Sequence, residues 1–154
     1  MVWGSIRATD KTFSIFIDKF VKINAKVYQE EILEKFAVPR KQKHPNFIIQ
    51  QDWATAHGSI TTIHFPESRI SSFLTKDLWP LNSPDLNPLD FSVWGFMEKQ
   101  FRSRYVKKLV DLRRDLIEIW NNLDVNYLRC TIDSMKNRID ACIKADGGHF
   151  ENTL

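Results

Sequence analysis

The stretch Trp79-Pro-Leu-Asn-Ser-Pro-Asp-Leu-Asn-Pro-Leu-Asp-Phe-Ser-Val-Trp-Gly95 decides the architecture of this chain. Between Leu78 and Pro88 it carries three prolines and two asparagines. That composition restricts the backbone too tightly for a regular element, so an ordered loop is expected. A helix should start where the loop ends, with Asn87 as its N-cap. Pro88 would then take the first helical position, where a missing N–H costs nothing. Asp90 follows in the first turn, beside the positive end of the helix dipole.

Working outward, Phe47-Ile-Ile-Gln50 is a short apolar run ending in Gln51-Asp52, the pattern of a buried strand. Residues 59 to 65 suit a short helix stopped by Pro66, and residues 72 to 74 a further short strand. At the N-terminus, Met1 to Ile6 and Thr12 to Ile17 read as two strands of a hairpin around the polar turn Ala8-Thr-Asp-Lys11. Asn24 caps an expected helix from Ala25 to about Phe36, with Tyr28, Ile32, Leu33 and Phe36 at helical spacing and Pro39 as its stop.

Two more helices are expected downstream. One spans Leu109 to Asn122, with Leu109, Leu112, Leu116, Ile119 and Trp120 on one stripe. The other spans Val125 to Ala145, with Leu128, Ile132, Met135, Ile139 and Ile143 facing the core, and Gly147-Gly148 supplies a left-handed ending. The order ββαβα(β)ααα describes a layered α/β domain.

At 154 residues and 18.1 kDa, the chain has the size of one domain, 1–154. Its 43% hydrophobic and 27% charged content is that of a globular protein and excludes wholesale disorder. No run approaches the ~18 apolar residues of a membrane span, and no secretory signal pattern opens the chain. Cys130 and Cys142 fall on the last expected helix, ~18 Å apart at 1.5 Å per residue, too far to pair. They are expected as small buried hydrophobes in a reducing compartment, cytosol or nucleus.

The net charge of +3 is mild, but its distribution is uneven. From Lys99 to Arg114 there are seven basic residues, Lys99, Arg102, Arg104, Lys107, Lys108, Arg113 and Arg114, against the single acid Asp111. Arg40, Lys41 and Lys43 form a second cluster. Such runs are either solvated surface or a phosphate-facing patch. The five tryptophans could stack on unpaired bases, but apolar neighbours favour core or loop anchors, with Trp53 open to either role.

Two acids stand out by position. Asp52 ends an apolar strand, where α/β sheets place ligand and metal sites, and Asp90 follows a rigid loop. Two carboxylates on fixed elements suit a hard divalent cation such as Mg²⁺. A pair of such ions would serve phosphodiester chemistry. The plainer alternatives are a helix-capping role for Asp90 and an Asx turn for Asp52.

The block Gln50-Gln-Asp-Trp-Ala-Thr-Ala-His57, together with Trp79 to Gly95, resembles the catalytic domain of mariner-superfamily DDE transposases. The first block is similar to their QQDxAxxH strand end, and the second to their long WPxxSPDLNPxD/E…WG signature. Met1-Val-Trp-Gly4, Val21 to Tyr28, and Arg138 to Glu151 carry the resemblance over nearly the whole chain. It implies an RNase H-like fold, with Asp52 as the second and Asp90 as the third of three metal-binding acids. The 37 residues between them, with Asp as the third acid, resemble the D-37-D subgroup. His57 matches a recurrent histidine, either a local packing residue or a ligand. The other histidines have no zinc-ligand spacing with the cysteines.

The chain also departs from that family. The family's first catalytic Asp lies on a strand upstream of the Val-Trp-Gly strand, and neither Asp10 nor Asp18 takes its place. The first strand and the N-terminal helix-turn-helix region are thus expected to be absent. Trp53 and Thr55 stand where the family has small residues and proline. A set of two carboxylates should hold a metal pair weakly, so this polypeptide alone is expected to be catalytically impaired. Metal-dependent nicking lost on Asp52→Asn would overturn that.

The resemblance implies metal-dependent cleavage and strand transfer with Mg²⁺ or Mn²⁺. It also implies DNA partners (transposon ends and target), a homodimer, no membrane, and a nuclear location. Asp52 and Asp90 would hold the metal, and Lys99, Arg102, Arg104, Lys107 and Lys108 would contact phosphates. The alternative is a non-catalytic descendant that binds nucleic acid through the same basic run.

Overall fold

The structure, a computed structural model, describes residues 1–12, 14–65, 73–74, 77–80 and 83–154. The chain is threaded through two units, one made of residues 17–83 with Met1, the other of residues 2–16 with 84–154. No described helix is long and apolar enough to cross a membrane.

In the unit of residues 17–83, Asn24 caps the first helix as expected, its side chain accepting from the Val27 N–H at 3.0 Å. The helix α1 (Ala25–Tyr28) widens into a π-helical stretch, Gln29–Ala37, and continues as α2 (Val38–Lys43). Pro39 therefore does not stop it. The proline falls just where the π-helical stretch, whose last bond runs from the Val38 N–H to the Leu33 carbonyl, gives way to α2. Tyr28, Ile32, Leu33, Phe36 and Ala37 make the buried face.

The strand expected at Phe47–Gln50 is reduced to a single parallel bridge, Ile49 to Phe73, with the Leu74 N–H on the Ile49 carbonyl at 2.9 Å. Ile48 lies exposed, so the apolar run is not enclosed on both faces. A buried parallel strand needs a partner on each edge, and among the described residues only Phe73 pairs with this one. Ser72, part of the second expected strand, lies outside the described residues. The short helix expected over 59–65 is α3 (Ile60–Ile63), capped by Ser59. Its expected stop, Pro66, lies outside the described residues.

In the second unit the N-terminal hairpin is interrupted. Strand β1 (Val2–Trp3) pairs antiparallel with β4 (Ile15–Phe16), and β2 (Ile6–Arg7) with β3 (Asp10–Lys11). Between the two ladders lie two residues on the outgoing strand, Gly4 and Ser5, and three positions, 12–14, on the return. Gly4 is required here, because a Cβ would sit 2.6 Å from the Trp120 ring.

The Asn87 side chain accepts from the Leu89 N–H at 3.2 Å, the capping role expected of it. A short 3₁₀ turn, Pro84–Leu86, precedes it, and the helix begins as a π-helical turn, Leu89–Val93, before α4 (Trp94–Phe101). Helices α5 (Leu109–Asn121) and α6 (Val125–Lys144) follow close to their expected bounds. Gly147 supplies the left-handed ending at φ +76°, with its N–H on the Cys142 carbonyl.

Val93, Met97, Ile119, Trp120, Leu123 and Leu128 form the core of this unit, with Trp94 stacked on Trp120. The Trp120 indole N–H donates to the Thr12 carbonyl, and the Lys11 ammonium to the Leu123 carbonyl at 2.6 Å. The stripes are shorter than expected, since Leu109 and Ile143 at the helix ends are both 71% exposed. Cys130 is exposed rather than buried. It lies two residues from Leu128, which turns it to the far side of α6.

Candidate active site

Asp52 lies three residues beyond the bridge at Ile49. Residues 54–58 turn back toward it, with the His57 and Gly58 N–H groups both on the Ala54 carbonyl at 2.8 and 3.0 Å. This turn delivers His57 Nδ1 to Asp52 Oδ1, and the Ala54 N–H reaches the same oxygen at 3.3 Å. A carboxylate can only accept, so Nδ1 carries the proton. The hydrogen bond from His57 is the main reason the Asp52 carboxyl is held below the usual carboxylate range. Partial burial opposes it, and the charge of His57 and the Ala54 N–H add to it. Neither contact falls on Oδ2, and the side chain is 57% exposed.

Beneath the histidine lies Tyr28, its ring 4.2 Å from the imidazole and its hydroxyl donating to Gln51 Oε1. Burial, with a smaller push from the Asp52 charge, raises the Tyr28 hydroxyl far above its ordinary value, so it remains a neutral donor. Sequence alone marks Tyr28 as a core residue of the first helix and as the end of a block that carries the resemblance, with no role at Asp52. Its link to Gln51 needs the fold. Trp53 lines an apolar groove of about 640 Å³ with Ile60, Ile63, Phe73 and Leu74. Its indole nitrogen is buried with no partner among the described residues.

Asp90 belongs to the other unit and is exposed in the first turn after Pro88. Its N–H and that of Phe91 both bond the Asn87 carbonyl, at 2.9 and 3.0 Å. Ser92 Oγ meets the Tyr127 hydroxyl at 2.7 Å and Thr131 Oγ1 at 3.3 Å. Arg138 donates to the Asp85 carbonyl at 2.9 Å, and its guanidinium lies 3.9 Å over the Phe91 ring. Arg138 stands in the C-terminal block that carries the family resemblance, but nothing in its sequence context assigns it this task.

The basic run divides by partner. Arg104 is forked onto Glu118 at 2.9 and 3.0 Å, with Asp115 at 3.6 Å, and Arg102 pairs with Glu98 at 2.9 Å. Arg114 bridges Asp111 and Asp115, and Arg113 covers the Phe16 ring. Lys99, Lys107 and Lys108 are exposed and have no carboxylate partner among the described residues. A phosphate contact from Arg104 would require it to leave its two acids.

Among the described residues no three His, Cys, Asp or Glu side chains converge to form a metal cluster. Asp52 and Asp90 nonetheless fit a hard cation individually, each being an exposed carboxylate on a locally fixed backbone.

No family model matches the chain. The chain is 28% identical over 150 residues to the Tc3 transposase of Caenorhabditis elegans, which covers 96% of this chain and 44% of that protein. It is also 28% identical over 153 residues to the Tcb2 transposase of Caenorhabditis briggsae, covering 96% and 52%. The chain thus spans about half the length of the curated relatives it matches.

Among solved structures it is similar to the catalytic domain of Mos1 mariner transposase. The TM-score is 0.80 at 21% identity, over 97% of this chain and 74% of that one. The Mos1 paired-end complex with the left transposon end matches equally well, with a TM-score of 0.80 at 21% identity, over 97% and 44%. The fold is therefore RNase H-like, as the resemblance implied. By sequence the chain is similar to these transposases, and by fold to the catalytic domain of Mos1 mariner transposase.

Proposed function

We propose that this chain is the catalytic-domain part of a DNA transposase, in which Asp52 and Asp90 hold Mg²⁺ or Mn²⁺ for phosphodiester cleavage and strand transfer. The observation that carries the reading is the setting of Asp52. It is a carboxylate held charged by His57 in a chain similar to transposases over 96% of its length. Structures of the similar Mos1 catalytic domain with Mn and with Mg support the choice of cation. A divalent cation bound there would polarise a phosphoryl oxygen as a Lewis acid.

The chain's own residues prepare for this. His57 fixes Asp52 through Oδ1 and keeps it ionised, which leaves Oδ2 for the cation. Tyr28 packs under the imidazole and limits its rotation. Asn87 and the preceding loop present Asp90 on a rigid turn. Lys99, Lys107 and Lys108 are the residues best placed to meet phosphates, with Arg102 and Arg104 contributing where they leave their acids. The partners are then transposon-end and target DNA in the nucleus. The Mos1 paired-end complex supports a homodimer as the working form.

Mn²⁺ titration followed by electron paramagnetic resonance tests the metal assignment. Asp52→Asn and Asp90→Asn are each expected to weaken binding about tenfold or more. Unchanged affinity in both variants would remove the metal site. Nicking of supercoiled plasmid in Mn²⁺ tests the chemistry. Cleavage abolished by Asp52→Asn supports the enzyme, whereas DNA binding without metal-dependent cleavage assigns the chain to the nucleic-acid-binding alternative.

A further inference from the structure

We infer that Arg138 is a positioning residue for Asp90, tying a backbone carbonyl before that carboxylate and an aromatic ring after it to α6. The inference rests on the reading of Asp90 as a metal ligand. Before Asp90, the Arg138 guanidinium donates to the Asp85 carbonyl at 2.9 Å. After it, the same guanidinium lies 3.9 Å over the Phe91 ring. Arg138 is half-buried, and none of the ion pairs among the described residues uses it, so its donors serve a carbonyl and a ring instead of an acid. That distinguishes it from Arg102, Arg104 and Arg114, which all meet carboxylates.

The clamp has a second point of attachment. Ser92 meets Tyr127 and Thr131, and these two share one side of α6 with Arg138, because offsets of four and eleven residues return to nearly the same helical face. One face of α6 therefore holds residues 85, 91 and 92. The segment it holds is the start of an element, a single 3₁₀ turn and the first, π-helical turn of the helix that continues as α4, the end at which a helix frays. A ligating carboxylate must be placed to within about 0.5 Å, which local capping by Asn87 alone does not secure. Only a planar guanidinium can donate at its edge and stack by its face at once. A lysine ammonium can do one or the other.

The test compares Arg138→Gln, Arg138→Lys and Phe91→Leu with Arg129→Ala, an exposed neighbour on the same helix. Amide hydrogen exchange is read at residues 84–93 against residues 112–120, together with Mn²⁺ affinity by paramagnetic resonance. Both Arg138 variants and Phe91→Leu are expected to exchange about tenfold faster at 84–93, with 112–120 and the Arg129 variant unchanged. Mn²⁺ affinity should fall about tenfold in parallel.

Unaltered exchange at 84–93 in Arg138→Gln, equal acceleration at 112–120, or full rescue by lysine would each overturn the proposal. If Asp90→Asn leaves Mn²⁺ affinity at the wild-type level, the reading of Asp90 as a ligand fails by itself. The exchange result still decides whether Arg138 holds the turn.

Discussion

Asp52 and His57 form a hydrogen-bonded pair whose chemistry has a definite pH sign. The Asp52 carboxyl is depressed in the folded state, chiefly by the hydrogen bond from His57. A depressed carboxyl contributes stability that is present above its unfolded pKa and is lost as pH falls through the folded value. His57→Ala should therefore move the Asp52 titration back up toward the ordinary carboxylate range, read by ¹³C NMR of the labelled side chain. An unmoved titration would mean the histidine does not hold the charge. The resemblance singles out Asp52 and Asp90 because each lies inside a dense motif. Gly4 was legible only as part of Val-Trp-Gly. Its physical reason, the Trp120 ring 2.6 Å from where a Cβ would be, comes from more than a hundred residues away and leaves no local mark.

At the scale of elements, α5 and α6 were readable because their apolar stripes and turns are local. Asp124 adds a cap to α6, its carboxylate accepting from the Asn126 and Tyr127 N–H groups at 2.8 and 3.0 Å. Asp124→Ala should cost about 1 kcal/mol in a guanidinium unfolding experiment, and a loss near zero would mean water replaces the cap without penalty. The π-helical stretches at Gln29–Ala37 and Leu89–Val93 were not readable. One extra residue per turn changes hydrogen-bond partners without breaking the apolar spacing that signals a helix. The strand expected at Phe47–Gln50 failed for a different reason. Apolar content marks what could be buried, while a strand exists only where another chain segment pairs with it.

For the whole molecule, the proposed DNA contact is an electrostatic property that depends on how many cations remain available. Replacing Lys99, Lys107 and Lys108 together by alanine should reduce the slope of log affinity against log salt by about 3. A fluorescence-anisotropy titration at several salt concentrations measures it, and an unchanged slope would place the contact elsewhere. Arg104, forked onto Glu118, should alter that slope less than any of the three lysines. The sequence displayed all seven cations of the run alike. Which of them were spoken for depended on Glu98, Asp115 and Glu118 arriving on helical faces that only the fold brings round.

The interrupted hairpin at the N-terminus has a consequence for how the protein comes into being on the ribosome. Residues 2–16 belong to the same unit as 84–154, and their anchors, Trp120 and Leu123, are among the later residues to be translated. At roughly 5–20 residues per second, the hairpin waits on the order of 5–20 s before the tryptophan that fills the space over Gly4 exists. During that interval the core its two short ladders rest on is incomplete, and a two-stranded ribbon is barely stable in water. This hairpin is thus made well before it can be secured.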